Sequence, residues 1–440
     1  MRRFLPIGFI VGLLTSITPA AFADSFAINE YSARDLGLAN AGRTTLEDVS
    51  AAWGNPAMLA FLHQRMVGGS LSGILGDANY RDRGSIDALG APLGGDTSGF
   101  LKDAIVPALH MSAPINDRFV FGLAVTAPFG LSTKYDDDWP GRYQAVKSSL
   151  QTIDINPSLS WKINDQLAFG IGVSAQYAKA HLTSAIDFGA VCFGQLSPTT
   201  CAGLGLNPQN ADGLADIEGD DWAVGWNAGL AWTPANDWRV GLTYRSRIDH
   251  DLKGAANFTV PTVAMPLTAT GAFTNTSGSA ALDLPAATEL GARWQATNLL
   301  ALYGGIQWKD WTPLKQLAVS YDNPAQPDTV EQLNYKSSVR YSFGGEYALT
   351  PKWTLRAGLA FDQSPTQSAY RTARIPDNDR TVYAIGASWK PTDAWSLDMA
   401  YNRVNIDDTS FDKIGTFDEH VIGLYAGHAD VVSIGASRTF

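Results

Sequence analysis

Residues 24–62 read DSFAINEYSARDLGLANAGRTTLEDVSAAWGNPAMLAFL, and their reading decides the fold. The stretch is rich in small residues, weakly periodic and free of the aromatic alternation that fills the chain after it. Two short helices are expected in it. Thr44 and Glu47 have capping-box spacing for a helix over residues 47–52. Asn55 is a good N-cap for a second helix; Pro56 follows at the first helical position, where no backbone N–H is needed, and Ala57 comes next. A segment without strands, followed only by strands, fits a plug inside a barrel. It equally fits a helical cap outside a soluble β domain. The flanking sequence decides between them.

Upstream, Arg2 and Arg3 precede an apolar run over residues 4–17 and the small-residue site Ala21-Phe22-Ala23. This is the pattern of a secretory signal peptide over residues 1–23. No later run approaches the roughly 18 apolar residues of a membrane-spanning helix. An exported soluble protein or a β-barrel remains. The composition, 45% apolar and only 17% charged, suits a barrel wall that averages one lipid face with one polar face. Removing Arg2 and Arg3 with the leader moves the formal charge from −11 to −13. That acidity argues against a nucleic-acid partner. Cys192 and Cys201 lie in one polar stretch, and in an oxidising exported compartment they are expected to form a loop disulfide. Asp136-Asp137-Asp138 reads as a solvated acidic loop, with calcium binding as the alternative. No metal or other cofactor is expected.

Downstream, alternation with period two is unusually regular. Trp222, Val224, Trp226, Ala228, Leu230 and Trp232 alternate with Ala223, Gly225, Asn227, Gly229 and Ala231. Trp353 to Phe361 and Trp395 to Tyr401 behave alike. Each pattern puts one set on each face of a strand. The apolar sets begin or end with Trp or Tyr, as an aromatic girdle at a membrane interface would require. Short turns, such as Asn116-Asp117, Asn164-Asp165 and Asn236-Asp237, alternate with long polar connections. The long connections cover residues 76–99, 130–149, 188–220, 252–277, 309–336, 362–380 and 407–427. Seven long loops and six short turns make fourteen strands, an all-β, antiparallel transmembrane barrel over residues 63–440 with both termini on the periplasmic side. Strand centres are expected near Ser70, Leu109, Leu123, Ile155, Val173, Ala228, Leu242, Leu290, Gly304, Gly344, Leu359, Ile385, Met399 and Ile434. Pro107 and Pro285 interrupt two of these strands.

With that pattern in place, the opening stretch resembles the hatch of the FadL family. The residues that carry the likeness are Phe26-Ala27-Ile28-Asn29-Glu30-Tyr31-Ser32, Leu36-Gly37, Ala41-Gly42 and Asn55-Pro56-Ala57. The likeness continues through residues 128–156, including Trp139–Tyr143 (W-x-G-R-Y), and through residues 375–380. The resemblance implies a monomeric outer-membrane channel for long-chain fatty acids or similar hydrophobic molecules, with outer-membrane lipid and lipopolysaccharide around it. It implies energy-independent uptake and lateral release at a kink in the third strand, here Pro128-Phe129-Gly130. Pro128 removes a ladder donor and Gly130 relaxes the backbone, although the strand could simply end there. It also implies that Phe26 lies close to the binding pocket. Ile28 and Leu36 would extend the apolar path, and Lys179 and Lys336 match basic positions that would meet a carboxylate head group. The terminal Phe440 resembles an assembly signal, but Arg438 stands where an aromatic residue is usual. Two rival functions remain at this stage. One is uptake of aromatic hydrocarbons, which the same family performs. The other is an outer-membrane lipase-type enzyme, against which stand the absence of G-x-S-x-G and six histidines in no recognisable motif.

Overall fold

The alternating segments form strands that pair only with antiparallel neighbours, and the last pairs with the first. The computed structural model describes residues 25–440; the signal-peptide reading lies outside them. The wall is a closed barrel of 14 strands. They are β1 (Met66–Asp82), β2 (Ala104–Pro114), β3 (Phe119–Thr126 and Gly130–Lys134), β4 (Lys147–Lys162), β5 (Leu167–Asp187), β6 (Asp212–Ala235) and β7 (Trp238–Arg245 and Ile248–Thr259). Then follow β8 (Thr276–Leu284 and Ala286–Gln295), β9 (Leu300–Asp310), β10 (Ser338–Ala348), β11 (Trp353–Asp362), β12 (Arg380–Thr392), β13 (Trp395–Ile414) and β14 (His420–Thr439). Closure runs from Met66 opposite Thr439 to Asp82 opposite Gly423. Apart from a break in β3, the closed ladder leaves no strand edge facing lipid. Every expected strand centre falls within its strand. Pro285 does interrupt β8, whereas Pro107 sits inside β2.

The outward rows are apolar and exposed. Near the short turns stand Trp161, Trp232, Trp238, Trp294, Trp353, Trp389 and Trp395, with Trp238 on Trp294 and Trp353 on Trp389 stacked across strands. Toward the long loops stand Trp222, Trp226, Tyr244, Trp308, Tyr341, Tyr383 and Tyr401. Aliphatic residues such as Val224, Ile385 and Ile434 fill the band between these two belts. A soluble domain does not leave so much apolar surface bare. At the C-terminus, the Arg438 guanidinium lies 5.5 Å over the Trp395 ring and 4.6 Å over that of Phe440.

Several long connections prove shorter than expected. The ladder of β13 and β14 continues through Ile414 opposite His420, inside the expected loop 407–427. The outward residues there mix polar side chains such as Ser410 and Asp412 with the exposed Ile414, and the backbone keeps its ladder.

Residues 25–62 fill the lumen, which settles plug against cap. Asn55 caps as expected: its Oδ1 accepts from Ala57 N at 3.1 Å, and Pro56–Phe61 form a 3₁₀ turn. The capping-box expectation fails. The helix there is only Ala51–Gly54, and its N-cap, Ser50, makes no side-chain cap bond. A third short helix, Ala33–Leu36, is capped by Ser32 instead. Wall contact overrides local propensity. Cβ atoms added at Gly241 and Gly229 would lie 2.1 Å from the Thr44 carbonyl oxygen and the Asn55 Oδ1. The plug backbone therefore rests directly on wall glycines. Asn55 Nδ2 donates to Leu230 O at 3.0 Å, Ser160 Oγ to Ala57 O at 3.1 Å and Ser70 Oγ to Tyr31 O at 3.1 Å.

Candidate functional site

The wall has a window where β3 breaks. Thr126 pairs with Asp154 of β4, and pairing resumes at Gly130 with Gln151, so residues 127–129 oppose only 152–153. The extra residue is a bulge, which bends a strand. On the other side, β2 pairs with β3 no further than Leu109 opposite Val125. Residues 104–108 of β2 keep their β1 partners but have none on β3. Beyond the gap the wall closes again: Lys102 N donates to Ser132 O at 3.1 Å and Lys134 N to Phe100 O at 2.7 Å. The opening is lined by Ile105, Pro107, Leu109, Val125, Ala127 and Ile153 around a recess of about 60 Å³. Pro128, Phe129 and Gly130 thus sit at a real interruption, and Pro107 on the facing strand removes another donor.

The kink is fastened to the plug. Ile28 N donates to Pro128 O and Gly130 N to Phe26 O, both at 2.8 Å, and Ala27 bridges to Phe129. Residues 26–28 act as a short strand inside the lumen that satisfies the groups β2 leaves unpaired. Phe129 N donates to Thr152 Oγ1, which donates to Phe129 O. Phe26, 2% exposed, packs edge-on against Trp311 at 4.9 Å and Phe129 at 6.1 Å; Tyr335 borders Trp311 at 5.9 Å. Ile28 is buried beside the kink. Leu36 is buried too, but on the helix that packs against β12–β14.

One residue further, Ser25 N donates to Asp377 Oδ2 at 3.0 Å, and Ser25 Oγ donates to the Tyr335 hydroxyl. Asp377 also accepts from Ser364 Oγ and pairs with the buried Arg380. Burial pushes the Asp377 carboxyl above its ordinary value of 3.8, and the neighbouring Arg380 opposes that rise. The connection from β11 to β12 therefore reaches inward and holds the start of the plug.

Below the kink a cavity of about 70 Å³ has two characters. Ala27, Ile28, Pro128 and Phe129 form an apolar side. Arg43, Arg245, Glu289, Gln307 and Lys309 form a charged side. Arg43 lies 3.6 Å from Glu289, and Arg245 stacks 3.6 Å over the Trp53 ring. The sequence reading places the head-group cation at Lys179 or Lys336, and neither lines this cavity. Gln176, Ala178 and Ala180 face the lumen, so Lys179 faces outward, where it pairs with Glu218 at 2.5 Å. Lys336 is exposed in the connection before β10. The lumenal cations Arg43, Arg245 and Lys309 were missed; strand parity signals two of them, since each follows an outward aromatic residue, Tyr244 or Trp308.

At the long-loop rim, helices Phe188–Gln195 and Pro198–Gly203 are joined by the expected Cys192–Cys201 disulfide. They pack against the turn Thr262–Thr268 through Phe188, Leu206, Ala264 and Leu267. Leu196, Leu204, Val263 and Met265 remain exposed there, away from the lipid-facing band. Replacing both cysteines with serine is expected to loosen these helices by about 2–3 kcal/mol. Faster proteolysis of residues 188–211 in the intact barrel would measure it. In the acidic run, Asp136 accepts from Thr97 Oγ1 at 2.8 Å. The W-x-G-R-Y segment has a packing role. Trp139 stacks on Tyr135 at 4.0 Å, and Arg142 and Tyr143 both bind Asp212.

A barrel whose third strand breaks against its own plug matches a known family model, "Outer membrane protein transport protein (OMPP1/FadL/TodX)", over residues 14–440. The chain belongs to the FadL family. It is 29% identical over 411 residues to the long-chain fatty acid transport protein of Escherichia coli K12, covering 88% of this chain and 89% of that one. It is 29% identical over 451 residues to outer membrane protein P1 of Haemophilus influenzae, covering 96% of each. A crystal structure of a Pseudomonas aeruginosa FadL homologue superposes with a TM-score of 0.85 at 26% identity, covering 94% of this chain and all of the other. The toluene transporter TodX of Pseudomonas putida shares the fold, with a TM-score of 0.69 at 17% identity over 92% of this chain and 98% of that one. This FadL-family protein is thus an outer-membrane transport protein. Its relatives are transporters, not enzymes, which removes the lipase reading.

Proposed function

We propose that this FadL-family barrel takes up long-chain fatty acids or closely similar amphiphiles and releases them sideways through the β3 window. The observation that carries this reading is the two-sided cavity beside the kink. An alkyl chain suits the Ala27, Ile28 and Phe129 side, and a carboxylate suits Arg43, Arg245 and Lys309. A toluene-like hydrocarbon has no charged group to place against that side of the cavity. The exposed Leu196, Leu204, Val263 and Met265 offer a first contact for an apolar chain arriving from outside. Entry of the chain would displace Phe26 and, with it, the short strand at the kink. The polar headgroup layer is the barrier, and lateral exit spares an apolar ligand an aqueous transit.

The reading is tested in two steps. Cells lacking this protein should regain oleate uptake when it is restored, with no gain for toluene. In the purified barrel, Arg245→Gln or Lys309→Gln should weaken oleate binding more than methyl oleate binding, by roughly 1–3 kcal/mol. Equal losses for acid and ester would remove the head-group role, and uptake of toluene alone would reverse the choice of ligand.

A further inference from the structure

The outward rows carry charge mainly toward the long loops, and most of it is matched. Arg403 meets Asp430 at 2.9 Å, Arg247 meets Asp249 at 2.7 Å, and Lys253 meets Asp251 at 3.2 Å. One corner is different. Lys134 of β3 and Lys147 of β4 stand directly opposite each other in the ladder. Like charges in register repel. Lys102 lies across from Ser132 on the segment that closes the top of the window, and its Nζ donates only to Gly99 O, at 2.7 Å. Lys147 Nζ faces His181 Nδ1 at 3.0 Å, while His181 Nε2 faces Asp216 at 2.9 Å. An imidazole that donates to Asp216 from Nε2 offers Lys147 a lone pair and no negative charge. None of these three lysines pairs with a carboxylate among the described residues. The nearby acids are engaged elsewhere: Asp103 accepts from Gly76 N, Asp136 accepts from Thr97 Oγ1, and Glu218, within electrostatic reach of Lys147, pairs with Lys179.

Height along the wall identifies the surroundings. Down the outward row of β4, Lys147, Ser149 and Gln151 give way to Ile153, Ile155, Pro157, Leu159 and Trp161. With a rise near 3.3 Å per residue and a tilt near 40°, Lys147 stands roughly 35 Å above Trp161. The apolar band of such barrels is only about 25 Å tall. The lysines therefore stand in the layer of phosphorylated sugars, directly above the window recess.

We propose that Lys102, Lys134 and Lys147 bind the phosphates of one lipopolysaccharide headgroup and hold that lipid over the window, with an acyl chain against Ile105, Leu109 and Ile153. Several cations in register suit the paired phosphates of lipid A better than the single phosphodiester of a phospholipid. The site does not depend on what the barrel carries, so it stands or falls apart from the transport reading.

The test is native mass spectrometry of the full detergent-solubilised barrel titrated with diphosphoryl lipid A, monophosphoryl lipid A or phosphatidylglycerol. The parent should retain one diphosphoryl lipid A, less of the monophosphoryl form and least of the phospholipid. Lys102→Gln/Lys134→Gln/Lys147→Gln should lower lipid A affinity about tenfold or more. The matching triple arginine variant should keep it, and Lys253→Gln should leave it unchanged. Heat-modifiable migration on gels verifies folding; if the triple glutamine variant does not fold, Lys134→Gln alone must show a loss. Lipid A retention by the folded glutamine variant equal to that of the parent would overturn the proposal. So would phosphatidylglycerol binding as tight as lipid A, or complete displacement of lipid A by inorganic phosphate.

Discussion

Replacing Pro128-Phe129-Gly130 with Val-Thr-Val is expected to stop uptake while leaving the barrel folded and capture at the long-loop rim intact. The window exists because β3 cannot follow β2 past Val125. Pro128 has no N–H to give, and the bulge over residues 127–129 carries the strand inward, where Phe26 and Ile28 take up its free groups. Val-Thr-Val restores the missing donor and favours extended backbone. Each ladder bond regained with residues 104–108 would contribute on the order of 1 kcal/mol. Losing the Phe129 ring costs a similar amount in aromatic contact, so folding should be little changed. The loop-rim surface around Leu204 and Met265 lies outside the substitution, and capture there should persist. Radiolabelled oleate uptake by cells, set beside oleate binding to the purified variant, checks the result. Undiminished uptake through a folded, sealed wall would point instead to a path past the plug into the periplasm.

The wall was legible because its signals are local. Alternation with period two, Asn-Asp turns and terminal tryptophans place every strand. The plug was less legible because its conformation is set by residues far away in sequence. Thr44 and Glu47 look like a capping box, but the Thr44 carbonyl is pressed against Gly241, and the helix begins only at Ala51. Helix Ala33–Leu36 is too short to show a period. The neighbourhood of Phe26 and Ile28 at the kink is readable from motif order, and the kink from its Pro and Gly. For Lys179 strand parity runs against family position: Ile171, Val173 and Tyr177 mark its row as outward. Arg43 could not have been found this way, since nothing in an irregular segment says which wall strand it will meet. Asp377 has no alternating neighbours either, and only the fold reveals that it holds Ser25.

That hold is the second large effect. Asp377→Ala should release the start of the plug and destabilise its surroundings by about 3–5 kcal/mol, the cost of leaving a buried charge without its partner. The charge is Arg380, whose side chain is 1% exposed and whose ion pair is with Asp377. The same carboxylate accepts from Ser25 N and Ser364 Oγ, so one substitution breaks both the ion pair and the latch. A second substitution separates them. In Asp377→Ala/Arg380→Met the unpaired charge is gone and most of the stability should return, but Ser25 still has no carboxylate to hold it. The readout is a cysteine at position 25, where Ser25 is fully buried. In a Ser25→Cys background with the native disulfide intact, a membrane-impermeant maleimide should label neither the parent nor an Arg380-only variant quickly. It should label both Asp377→Ala proteins. Protection of position 25 in all of them would mean that the Phe26 and Trp311 contact alone holds the plug start, and that Asp377 serves only to neutralise Arg380.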